Sequence, residues 1–259
     1  MDDATAARLN AINRTFYATT ADAFDQTRGR PWPGWQTLWD HLRLPTGPGE
    51  FSVLDVGCGN GRLGVFLAEH LPHPLTLVYH GLDSDPALLA RAAQALQAPR
   101  IAAQLEQRDI LTHPPESGQY DLVALFGVLH HIPGHRRRLA LIRKLAERVA
   151  PGGALAFACW RFMEYARFRA RIVPWPEDLA PHVEPGDVLL DWRRDVHALR
   201  YCHYVDDAEH AALLAAAESA GLRLTATYRA DGRTGDANLY AVLHRPSASA
   251  HRAAPGTLL

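Results

Sequence analysis

Little in this sequence calls for an oxidising compartment, a membrane or a metal. Three cysteines, Cys58, Cys159 and Cys202, are too few and too scattered for a disulfide framework, and none stands at metal-ligand spacing. A reducing, cytoplasmic setting is the expectation. No apolar run approaches the roughly 20 residues that span a bilayer, so no membrane span is expected. Met1-Asp2-Asp3-Ala4 lacks the basic-then-apolar order of a signal peptide. Charge of either sign is not in excess: the formal net charge is −1 and the pI about 6.9. No global basic field advertises nucleic acid, although a local cluster would suffice for it. Internal repeats are absent. What remains, 47% hydrophobic and 21% charged residues, is an ordinary globular chain. Its length suits one domain with insertions.

The chain is organised around Val53-Leu54-Asp55-Val56-Gly57-Cys58-Gly59-Asn60-Gly61-Arg62. An apolar run ends in an acid and a glycine-rich turn, and a helical pattern from Leu63 to Leu71 follows. A buried strand feeding a tight turn and a helix N-terminus is where α/β sheets bind nucleotide-like ligands. Gly59, Gly61 and Gly64 formally satisfy the dinucleotide pattern, but Asp55 argues against a pyrophosphate, which it would repel. It would attract the ammonium of a methionine-like group. Asp83 closes a second strand-like run and is placed to accept from ribose hydroxyls. An amine at one end and a ribose in the middle describe S-adenosylmethionine.

DVGCGNGR, GLDSD, RDIL and YDLVALFGVLHHI in succession resemble the motifs of class I methyltransferases. The resemblance implies an α/β, Rossmann-like fold: a mostly parallel seven-stranded sheet with helices on both faces. Strands are expected near 51–56, 76–82, before Asp109, 120–126 and 154–159, with two final strands, 222–228 and 237–244, at an antiparallel edge. Pro151-Gly152-Gly153 reads as the break between a helix at about 135–149 and strand five. Residues 1–45 read as a helical cap, with one broken helix over 4–26. Residues 46–245 read as the methyltransferase domain, 160–199 as a substrate lid inserted in it, and 246–259 as a disordered tail. The expected cofactor contacts are Asp55, Gly57, Cys58, Gly59, Asn60, Gly61, Asp83, Ser84, Asp109, Ile110, Phe126 and Tyr17. Asp109 would accept from the adenine amine and Ile110 would cover the ring. Asp85 or Asp206/Asp207 would cap helices. Arg136-Arg137-Arg138 reads most simply as a solvated helix face.

Methyl transfer from a sulfonium is mainly a matter of alignment. The sequence offers no metal triad, no NPPY-type motif and no cysteine nucleophile. It offers arginine, histidine and tryptophan about the mouth, which suit an already ionised carboxylate acceptor. Phe16-Tyr17, Phe24-Asp25-Gln26-Thr27-Arg28 and Pro31-Trp32-Pro33, together with Arg200-Tyr201-Cys202-His203 and Gly235-Asp236-Ala237-Asn238-Leu239-Tyr240, are similar to the terminal signatures of the tRNA wobble-uridine carboxymethyl methyltransferases. These segments make up about a fifth of the chain; Leu239, Cys202 and the long insertion depart from the family pattern. The resemblance implies esterification of 5-carboxymethyluridine, with S-adenosylhomocysteine as product, and a small zinc-binding activator subunit as partner. By it Arg28, His130, Trp160, Arg200, Tyr201 and His203 become substrate contacts; the residues themselves add Trp32, which with Tyr17 and Arg28 would roof the site, and His131 beside the donor methyl, with Arg28 and His130 the catalytic candidates. The open alternatives are a small-metabolite O- or N-methyltransferase and a non-catalytic cofactor-binding module.

Overall fold

The strand that sets the architecture is β1 (Glu50–Val56), buried on both faces from Val53 onward. Successive side chains of a strand point to opposite faces. Val53 accordingly joins one apolar core, with Phe51, Leu63, Leu67 and Leu77. Leu54 and Val56 join the other, with Val123, Leu125, Ile142 and Leu145. A strand apolar on both sides must be covered on both sides, which requires a parallel sheet with crossover helices. The computed structural model describes residues 1–26, 30–194 and 196–247, with the side chains of 21–26, 193, 194 and 196 outside that description.

The main sheet has seven strands, ordered β3-β2-β1-β4-β5-β10-β9. Strands β1, β2 (Thr76–Asp83), β3 (Ile101–Gln107), β4 (Tyr120–Leu125) and β5 (Val149–Trp160) are parallel, and β10 (Asn238–His244) runs antiparallel to both β5 and β9 (Arg223–Ala230). The strand order reverses between β1 and β4, which opens a crevice at their C-terminal ends. Crossover helices α3 (Arg62–His70), α4 (Pro86–Ala95), α5 (His135–Ala146) and α7 (Asp207–Ser219) cover the faces. Asp85 caps α4 by accepting from the amides of Ala87 and Leu88, and Asp206 caps α7 through that of Glu209.

Several boundaries differ from the sequence expectation. Pro151-Gly152-Gly153 lies within β5 and not before it; the pairing with β4 shifts register between Tyr120 and Leu122 and absorbs the Pro-Gly-Gly step as a bulge. Asp109, expected to end the third strand, sits in the turn beyond β3. Helix α1 (Asp3–Gln26) is continuous, not broken. Arg138 is no solvated residue: only 1% exposed, it pairs with Glu209 at 2.7 Å and Glu184 at 3.1 Å and donates to the Ile132 carbonyl.

Between β5 and α7 the chain forms a second, antiparallel sheet of three strands: β6 (Ile172–Val173), β7 (Asp187–Arg194) and β8 (Val196–His203), preceded by the short helix α6 (Ala166–Arg169). Helix α1 packs on β8: Leu9 shares a buried cluster with Leu189 and Tyr201. Helix α2 (Pro33–His41) instead sends Trp35 and Leu38 into the core of the main sheet. No helix among the described residues is long and apolar enough to cross a membrane. The expected tail falls largely on 248–259, outside the described residues.

Candidate active site

The turn after β1 is fixed by its backbone. The amides of Gly57 and Cys58 both donate to the Leu82 carbonyl, at 2.8 and 3.0 Å. Gly57 has φ +77°, and a Cβ there would lie 2.3 Å from Val128 Cγ2, so only glycine fits. At Gly59 (φ +55°) the space where a Cβ would point is open. Its amide donates to Asp83 Oδ2 at 2.8 Å, and the Asp85 amide donates to Oδ1 at 3.0 Å. The two carboxylates of the crevice are thus held differently. Asp83 is clasped by backbone. Asp55, 3% exposed, accepts a single hydrogen bond among the described residues, from the Tyr79 hydroxyl at 2.5 Å. Burial pushes Asp55 up to about 7, against the lowering effect of Tyr79. No salt bridge reaches it among the described residues.

Two adjoining cavities open here, sharing Gly57, Gly59, Leu88 and Phe126. The smaller, of about 520 Å³, is lined by Asp55, Cys58, Asn60, Arg62, Trp32 and Trp35 among others. The larger, of about 830 Å³, holds Asp83, Ser84, Asp109, Ile110, His131 and, from α1, Asn10, Arg14 and Tyr17. Asn10 donates to Asp109 Oδ2 at 2.8 Å, while Oδ1 accepts from the Leu111 amide. Gly61 lines neither cavity. It adopts φ +79° as the residue from which α3 starts.

Beyond the larger cavity, His131 bridges three segments. Its Nδ1 lies 3.1 Å from the Tyr201 carbonyl, an acceptor only, which places the proton on Nδ1. Nε2 then accepts from the Tyr17 hydroxyl at 2.7 Å. The amide of Asn13 also meets Nδ1, at 3.2 Å; with that nitrogen protonated, the Asn13 oxygen is the atom that should face it. Next to it His130, 6% exposed, packs its ring 4.0 Å from that of His131 and 5.2 Å from Trp160. Trp160 lies under Arg200: the guanidinium is 5.0 Å from the Trp160 ring and 5.2 Å from that of Phe16. Arg200 is 8% exposed, and among the described residues no carboxylate pairs with it. A guanidinium sandwiched between aromatic rings without a counter-ion is built to receive an anion.

The structure does not bring every expected contact together. Tyr201 and His203 line neither cavity. The Tyr201 hydroxyl donates to Asp187 at 2.8 Å, and His203 is held between Asp187 at 2.7 Å and Glu209 at 2.6 Å. Burial alone would lower His203, yet these two carboxylates raise it. Burial would likewise raise Glu209, but His203 and Arg138 hold it down at about 2. These residues tie β8 to α5 and α7. Arg28 lies outside the described residues. Asn10, Arg62 and Trp35 line the cavities without being among the sequence-predicted site residues, whereas Trp32, expected as a substrate contact, lines the smaller cavity.

The family model of a methyltransferase domain matches residues 54–155, from β1 into β5. Over these residues the chain is similar to a methyltransferase domain. It is 40% identical over 105 residues to the trans-aconitate 2-methyltransferase of Deinococcus radiodurans, a match covering 40% of this chain and 36% of that one. The probable tRNA methyltransferase 9B of Homo sapiens is 25% identical over 178 residues, covering 69% of this chain and 32% of that protein. The chain therefore spans well under half of these curated relatives. CalS10, an amino pentose methyltransferase from Micromonospora echinaspora solved with S-adenosylmethionine bound, shares the fold at a TM-score of 0.57 and 21% identity, over 87% of this chain and 96% of that one. The residues of the methyltransferase domain fit that cofactor. A buried carboxylate lacking a cation awaits an ammonium, the open face of Gly59 gives close backbone approach, and Asp83 retains lone pairs toward the larger cavity.

Proposed function

We propose that this chain methylates a carboxylate oxygen of an acceptor held against Arg200, and that the acceptor is a carboxymethyl group borne by RNA. Arg200 carries the reading: a nine-tenths buried guanidinium between Phe16 and Trp160, paired with no carboxylate among the described residues, on the Trp160 ring that His130 also meets. Bound in the two cavities, S-adenosylmethionine would supply an electrophilic methyl on a positively charged sulfur. The chain's own part is positioning. Asp55 would hold the ammonium, Asp83 the ribose hydroxyls and Asp109 the adenine edge. Arg200 would orient the acceptor carboxylate and His130 would contact it. A carboxylate arrives ionised, so no side chain has to remove a proton, and alignment is the main contribution. The second sheet, which supplies Arg200, would act as the acceptor lid.

Two observations support RNA over a free metabolite. The similarity to the tRNA methyltransferase 9B relative extends beyond the core to 69% of this chain. Arg167, Arg169 and Arg171 are exposed on the segment that follows Trp160, where phosphates would pass. The second reading, a small polycarboxylate, is favoured by the name of the trans-aconitate relatives. An activator subunit stays outside this proposal.

The test offers methyl-labelled S-adenosylmethionine with carboxymethyl-uridine tRNA, unmodified tRNA and trans-aconitate in parallel. Alkali-labile label on the modified tRNA alone is the expected result. Label on trans-aconitate alone would establish the second reading. Cofactor binding with no label on any acceptor would favour the binding-only module.

A further inference from the structure

Trp35 is 4% exposed, yet its indole nitrogen finds no acceptor among the described residues. An indole N–H can only donate, and leaving it unpaired in the interior is costly, because its hydration is lost and not replaced. The ring has no freedom to turn the nitrogen elsewhere. Trp32 stacks on it at 5.6 Å and 20°, Phe66 and Phe126 abut it at 5.9 and 6.2 Å, and the Arg62 guanidinium lies 5.7 Å from its centroid. The same indole lines the smaller cavity, with Asp55, Asn60 and Arg62.

The side chains lining this cavity thus include one buried carboxylate, one guanidinium that already donates to Asn60 and to the Arg30 carbonyl, and one indole whose N–H is unpaired. The first suits a cation; the other two suit an anion. A zwitterion with ammonium and carboxylate on a single carbon satisfies all three at once, and the amino-acid end of S-adenosylmethionine is such a group. We propose that Trp35, through its indole N–H and with Arg62 beside it, holds the carboxylate of the cofactor's methionine moiety while Asp55 holds its ammonium. This rests on the cofactor reading above and assigns residues from α2 and α3 to a role that the glycine turn alone does not fill. It also makes the site select against ligands that carry the amine but lack the carboxylate.

The experiment is calorimetric titration of wild type and Trp35→Phe, which keeps the ring and its stacking but removes the donor. Two ligands are compared: S-adenosylhomocysteine and its decarboxylated aminopropyl-thioadenosine analogue. Loss of a hydrogen bond to a charged group should weaken S-adenosylhomocysteine by roughly 10-fold or more in the variant. The analogue should bind both proteins within about 2-fold. The comparison is made within one variant, so partial loss of folding cancels. In wild type, one indole N–H resonance should also move downfield with S-adenosylhomocysteine and stay in place with the analogue. Equal weakening of both ligands, or no weakening of either, overturns the role of Trp35 and leaves the cofactor reading standing. Failure of wild type to bind S-adenosylhomocysteine overturns both.

Discussion

The Tyr79 hydroxyl lies 2.5 Å from Oδ2 of Asp55, and among the described residues it is the only hydrogen bond that carboxylate receives. Both groups are buried on adjacent strands, with Val53 of β1 registered against Tyr79 of β2. One neutral donor does not replace the hydration lost on burial, so the acid is held near neutrality until a cation arrives.

A pH dependence of cofactor binding follows. Asp55 is raised to about 7, and pairing with an ammonium favours its ionised form. Below that value the group must shed a proton on binding, and affinity falls as pH falls; above it no proton is exchanged. The dissociation constant of S-adenosylhomocysteine should rise by up to about 10-fold per pH unit below 7 and flatten above it. Asp55→Asn should abolish the slope. A constant affinity from pH 5.5 to 8 would remove Asp55 from the ammonium role.

Asp83 orders the glycine turn through Gly59 and faces the larger cavity. Asp83→Ala should weaken S-adenosylhomocysteine binding by about 1.5–3 kcal/mol, the range of a lost charged hydrogen bond. Calorimetry showing undiminished affinity would refute its ribose role.

Arg200→Met keeps the aliphatic bulk between Phe16 and Trp160 and deletes the charge. Truncating one side of a buried charged pair costs about 2–5 kcal/mol. Turnover per unit of acceptor, kcat/KM, should drop by at least ~30-fold, the lower end of that range. The affinity for S-adenosylhomocysteine should hold steady. If cofactor affinity collapses while bound enzyme still turns over, Arg200 serves the cofactor instead.

The tie among His203, Asp187, Glu209 and Arg138 has its own pH window. Glu209 is depressed to about 2, so its stabilisation is present above its ordinary 4.5 and lost as pH falls toward 2. His203 is raised above 6.5, so the contribution of its charge is complete below 6.5 and lost as pH climbs past the folded-state value. The tie is strongest from about 4.5 to 6.5. Glu209→Gln leaves His203 with Asp187 and Arg138 with Glu184 as their remaining carboxylates and should destabilise the fold by about 1.5–3 kcal/mol, the range of a lost charged hydrogen bond. Amide exchange along β8 should accelerate in the variant; protection equal to wild type would show that the tie contributes nothing there.

The core of the fold was legible because its signals are local. A hydrophobic strand, an acid and three glycines occupy ten consecutive residues, and the later acids recur at strand ends with helical segments between them. Pro151-Gly152-Gly153 misled because a bulge lets glycines stay inside a strand, and nothing nearby in sequence announces the shift against Tyr120. His203 and Tyr201 misled for the opposite reason. Their partners, Asp187 and Glu209, belong to elements paired only in three dimensions, so a polar cluster in sequence looked like a site when it was a joint. Arg138 is the same case on α5. Trp35 was legible as buried, but the lack of an acceptor for its nitrogen is visible only once its neighbours are in place.

Helix α1 touches every party to the proposed reaction. Asn10 reaches the acid assigned to adenine, Tyr17 reaches the histidine loop, and Phe16 covers the arginine assigned to the acceptor. Its packing is on β8, not on the main sheet. Arg200 and the Phe16 ring that covers it are thus carried by two stretches bolted to one another, while His130 and Trp160 stay on the scaffold beneath. Exchange of those stretches together would retarget the scaffold in a single evolutionary step, whereas exchange of either alone would leave Arg200 uncovered.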